Sequence, residues 1–147
     1  MSDAAAPTPS AGTANDVRGE VDILLEGVNY VMRPSFDAIQ AIEKKLGRGL
    51  LELGQAAYNN TLSTIDIATI ATLCIHAEGK AKNDQSMQHF DIGTVAPLLH
   101  EEPGGFMIAA LRIQRLLLNA STGGYTATGE PKAATGTMMT TETPAAA

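Results

Sequence analysis

The chain has 147 residues, a formal net charge of −6, one cysteine and no tryptophan. That length favours one domain, the lone cysteine excludes an internal disulfide framework, and the acidic balance argues against nucleic acid, which calls for a basic stripe and stacking aromatics. No apolar run is long enough to span a bilayer and the first residues lack the basic and apolar regions of a secretory signal, so a soluble, cytoplasmic protein with no membrane contact is expected.

Residues 1–16 carry no large apolar side chain after Met1, and residues 122–147 are mostly Thr, Ala, Gly and Pro. Neither stretch can bury enough surface to offset the entropy of ordering, so both are expected to be disordered tails around a folded domain at 17–121. Residues 17–33 read as a β-hairpin turning at Glu26-Gly27. That turn sets Leu25 opposite Val28, Ile23 opposite Tyr30 and Val21 opposite Met32, all on one side, with Glu20 facing Arg33 at the open end. Asp22 falls on the other side, where a change should be tolerated. Two strands alone are marginal in water, so the apolar side must rest on helices.

Pro34 stops the second strand and Ser35 is a suitable N-cap for a helix over 36–46, with Phe36, Ile39, Ile42 and Leu46 on one face and Gly47 closing it. Residues 49–58 suit a shorter helix weakened by Gly54, and Asn59-Asn60 turns the chain. The stretch 63–79 is the expected central helix. Its interior polar residues Asp66, Thr69, Thr72 and His76 fall in one stripe roughly 120° wide, and the rest of the cylinder is apolar, so several neighbours must cover it. Its β-branched residues would also suit a strand, but length and polar spacing favour helix. Ser63 with Asp66 reads as a capping box, and Gly79 stands where a left-handed cap would end the helix. Beyond it come a polar loop at 80–88, one or two helical turns within 91–100, where Pro97 is acceptable only in a first turn, a break at Pro103-Gly104-Gly105, and a last helix at 106–119. The fold class is therefore α+β: a two-stranded antiparallel hairpin packed on four to five helices, with disordered tails.

No catalytic constellation is legible. His76, His89 and His100 have no ligand-type residue three or four positions away, so no metal site is expected. Cys74 lies on the apolar side of the central helix and reads as an inert core thiol. Gly47-Arg48-Gly49 follows a helix and lacks the third glycine of a dinucleotide fingerprint, and Glu101-Glu102 have no paired carboxylate. Lys44, Lys45 and Arg48, like Lys80 and Lys82, are short clusters that read as solvated surface. No enzyme activity and no cofactor are expected.

The last helix has two apolar stripes. Phe106, Ala109, Ala110, Ile113, Leu116 and Leu117 make one, while Met107, Leu111 and Leu118 make another across Gln114. Either both are core, or the Met-containing stripe is an adaptable surface for a partner.

Arg18-Gly19-Glu20-Val21, the Glu26-Gly27 turn, Tyr30 and Arg33, followed by an amphipathic helix ending Ile42-Glu43 and the Ser63-led helix, resemble the small tail proteins of gene transfer agents and siphophages. That family is described as tail assembly chaperone or, alternatively, gene-transfer-agent tail tube protein, and the resemblance spans residues 17–120. It implies a chaperone that holds the tape-measure protein soluble and assists tail tube subunits to polymerise, or else a structural component retained in the tail of the particle. With it, Met107, Leu111 and Leu118 become the expected contact to the tape-measure protein or to a second copy of the chain.

Overall fold

The computed structural model describes residues 20–132. Strands β1 (Val21–Leu25) and β2 (Val28–Met32) are followed by helices α1 (Phe36–Leu46), α2 (Leu50–Tyr58), α3 (Thr64–Lys82), α4 (Gln85–Gln88), α5 (Ile92–Glu101) and α6 (Gly105–Ser121). The architecture is α+β, as the hydrophobic pattern requires, with one helix more than expected because α4 forms within the expected polar loop at 80–88.

The hairpin register pairs Val21 with Met32, Ile23 with Tyr30 and Leu25 with Val28, as expected from the turn. Glu26 and Gly27 both have positive φ (49° and 79°), the primed geometry whose twist matches the strands. Val21, Ile23, Leu25 and Met32 point into the core. The end of β2 is fastened to the centre of the molecule where the Arg33 amide donates to the Cys74 carbonyl (3.0 Å).

Helix α3 is the axis of the fold and touches β2, α1, α4, α5 and α6. Ser63 and Asp66 form the expected capping box, with each side chain bonded to the other's backbone amide (3.1 and 3.0 Å). Thr69 and Thr72 do not face water. They are buried, and their hydroxyls donate to the carbonyls of Ile65 and Ala68 (2.7 Å each), so a polar stripe is accommodated inside the core by bonding back to its own helix.

The helix also runs past Gly79. A Cβ there would lie 2.7 Å from Met87 Cβ and 2.9 Å from the Asp84 carbonyl oxygen, so the glycine serves the close approach of α4. Asn83, in the left-handed conformation, supplies the cap instead. Helix α1 starts on Ser35, whose hydroxyl accepts from the Ala38 amide, and ends at Gly47 with φ 69°. Phe36, read as part of its inner face, is exposed; Ala38 and Ile42 fill that role. In α5, Pro97 lies inside the helix rather than in its first turn, at an exposed position, where it donates no helical hydrogen bond.

The expected end of order at Ser121 is corrected. Residues 122–132 form a folded strap with a Tyr125–Pro131 bridge, and the Phe36 amide donates to the Ala127 carbonyl (2.8 Å). Gly129 is buried with φ 89°, and a Cβ on it would meet Arg33 Cγ at 2.4 Å, so only glycine fits. Composition suggested disorder because the strap contributes few apolar side chains; backbone bonds and Arg33 hold it. The expectations for residues 1–16 and 133–147 lie outside the described residues.

Candidate partner-binding surface

Helix α6 presents both of its stripes as distinct faces. Ala109, Ile113, Leu116 and Leu117 are buried, while Met107 is 73%, Leu111 51% and Leu118 58% exposed. The second stripe is therefore open to solvent in this structure. Burial of an apolar side chain is worth about 1.5–3 kcal/mol, and at these exposures each of the three residues forgoes half of that gain or more.

A neighbouring helix extends the surface. Gln114 Nε2 donates to the carbonyls of Ala57 (3.2 Å) and Tyr58 (3.5 Å), and a Cβ on Gly54 would lie 3.8 Å from Ser121 Oγ. Residue 54 thus meets 121 while 57 and 58 meet 114, so α2 and α6 run antiparallel. Leu51 and Tyr58, each 72% exposed, are two turns apart on the flank of α2 that adjoins Gly54. Sequence reading missed them because α2 by itself is a short apolar run with no visible outer face.

Elsewhere, α1, α3 and the strap enclose a groove of about 620 Å³ lined by Phe36, Ala38, Leu73, Ala77, Lys80 and Ala127 among others. Arg33 closes one end: its Nε donates to Glu78 Oε1 (2.8 Å), and Nη1 reaches Thr128 O (3.2 Å) and Glu130 (3.4 Å). The Arg33 guanidinium, expected to face Glu20, thus ties β2 to α3 and the strap. With side chains only 13% and 8% exposed, the Arg33–Glu78 pair is a buried one, costly to break from either side. Asp22 is likewise engaged, accepting from Arg112 of α6 through its carboxylate and its carbonyl.

His76 and Cys74 are both engaged structurally. His76, expected on the polar stripe of α3, donates from Nε2 to the Phe90 carbonyl. Cys74 is fully buried, and burial pushes its thiol up to about 12. Among the described residues no group of three or more His, Cys, Asp or Glu is placed to hold a metal ion, and no helix is long and apolar enough to cross a membrane.

Comparison with family models matches residues 18–101, more than half of the chain, to the family described as phage tail tube protein, GTA-gp10. The chain belongs to this family. Neither the curated proteins nor the solved structures yielded a match. Membership puts the chain among phage and gene-transfer-agent tail proteins, a family of structural proteins rather than enzymes. The matched residues run from the hairpin through α5. They include α2 with Leu51 and Tyr58, whereas α6 with Met107, Leu111 and Leu118 lies beyond them, so the resemblance read to residue 120 is matched only to 101.

Proposed function

We propose that this tail-family protein is an assembly chaperone acting in the cytoplasm of the bacterial host, where it binds the tape-measure protein and assists tail tube subunits to polymerise around it. No catalysis and no cofactor enter this role. The observation that carries the reading is the open apolar stripe of α6: a chaperone for a long hydrophobic protein must offer adaptable apolar surface, and a Met–Leu stripe supplies it without a fixed shape. Met107, Leu111 and Leu118 are the proposed contacts.

The family's own description, a tail tube protein, favours a second reading, in which the chain is a structural component retained in the tail. Mass spectrometry of purified particles separates the two. A chaperone is absent or far below stoichiometry, whereas a tube subunit is present in many copies. Co-purification supplies the companion test: the wild-type chain retains the tape-measure protein and the Leu111→Ser/Leu118→Ser variant loses it while keeping its helical circular dichroism. Abundant chain in finished particles, or capture unaffected by the double change, would reject the chaperone reading at this surface.

A further inference from the structure

We propose that two copies of the chain pair through the outer face of α2 and α6, about a two-fold axis, to make an antiparallel four-helix contact. Gly54, Gln114 and Ser121 are among the residues through which α2 and α6 meet. Helical spacing sets Leu51 and Tyr58 beside Gly54 on one bank of that seam, and Met107, Leu111 and Leu118 beside Gln114 and Ser121 on the other. On α6 the positions 107, 111, 114, 118 and 121 follow the alternating four-and-three spacing of a bundle seam, and Leu51 and Tyr58 are one heptad apart. A pair of antiparallel helices with such seams on a common outer face is half of a four-helix bundle.

Two arguments select a second copy as the occupant. The first is area. At exposures of 51–73%, the five side chains leave open roughly 600 Å² per chain, so a face-to-face pair would cover about 1,200 Å², the lower bound of a specific interface. The second is charge. Pairing about a two-fold brings the residues at the axis near their own symmetry mates, so a charged centre would set like against like. On a chain of net charge −6, the side chains named on this seam carry no charge at all. The tape-measure contact proposed above shares the α6 bank, and the two occupants exclude each other; the pairing concerns the free chain and is tested on it alone.

Sedimentation velocity of the purified full chain from about 1 to 100 µM reads the outcome, because a modest interface gives a concentration-dependent mass. The expected result is a monomer–dimer equilibrium. It shifts to monomer in Leu111→Ser/Leu118→Ser and, independently, in Leu51→Ser/Tyr58→Ser, with circular dichroism unchanged since all four positions are exposed. Phe36→Ser, an exposed residue on α1 away from this face, leaves the equilibrium as it was. Amide exchange at the two ends of the concentration range gives a readout free of mutation, with added protection at high concentration confined to α2 and α6. A wild-type chain monomeric at the highest concentration, a dimer surviving both double variants, or protection placed elsewhere overturns the proposal.

Discussion

Gly79→Ala tests how α4 is seated. In an unobstructed helix interior, alanine is favoured over glycine by about 0.5–1 kcal/mol. At Gly79 the added Cβ would stand 2.7 Å from Met87 Cβ, 2.9 Å from the Asp84 carbonyl oxygen and 3.2 Å from Gln88 Cγ. The first two atoms move only with the backbone, and the Asp84 amide is itself bonded to the Gly79 carbonyl (2.7 Å), so relief requires α4 to shift as a unit. Such overpacking costs about 1–3 kcal/mol and outweighs the propensity gain, leaving a net loss of about 1–2 kcal/mol. For a domain of this size that is a fall of about 4–10 °C in Tm. Gly54→Ala is the control: its Cβ would sit at an ordinary 3.8 Å from Ser121 Oγ, so the full propensity gain should appear as added stability. Urea denaturation and thermal melts of both variants, at one fixed protein concentration, give the comparison. A Gly79→Ala protein as stable as the parent would show that α4 does not lie against α3 as described.

The remaining expectations concern the hairpin, the strap and the thiol. Ile23→Asp sinks a carboxylate into a site 2% exposed and should cost about 3 kcal/mol or more in a denaturant melt. Asp22→Lys, which the alternation of the strand alone would leave silent, sets a cation beside Arg112 and should cost about 0.5–1 kcal/mol, discounted because Arg112 is 43% exposed; equal losses from the two changes would refute the register. Ending the chain after Ser121 removes the Ala127–Phe36 bond and the Arg33 contacts to Thr128 and Glu130, so Tm should drop by several degrees rather than stay level. Cys74 should resist alkylation at pH 8 in the folded protein and react once it is unfolded. Its folded pKa lies above that of the free thiol, so the stability linked to this group is complete below the free thiol's 9.0 and is lost as pH climbs toward 12. Reaction at the rate of a free thiol would contradict its burial.

Elements governed by neighbours in the chain were legible from the residues alone. The hairpin register follows from a two-residue turn and the period of two, and the starts of α1 and α3 follow from Ser35 and from the Ser63–Asp66 box, because those bonds close within four residues. The central place of α3 was legible too, since a helix apolar around most of its surface has no stable alternative to being covered. The remaining features were decided by contacts between residues distant in the chain. Gly79 has the chemistry of a cap, and only the approach of Met87 and Asp84 turns it into a packing position. Residues 122–132 lack the apolar content that signals order, and their hold comes from Arg33 and Phe36, almost a hundred residues away. The sequence could name Met107, Leu111 and Leu118 but not choose between core and surface, because one helix can turn two apolar faces and the number of neighbours decides which are covered. Five other elements pack around α3 and none lies over that stripe; only the antiparallel docking of α2, with Leu51 and Tyr58 on its outer flank, reveals how large the open surface is.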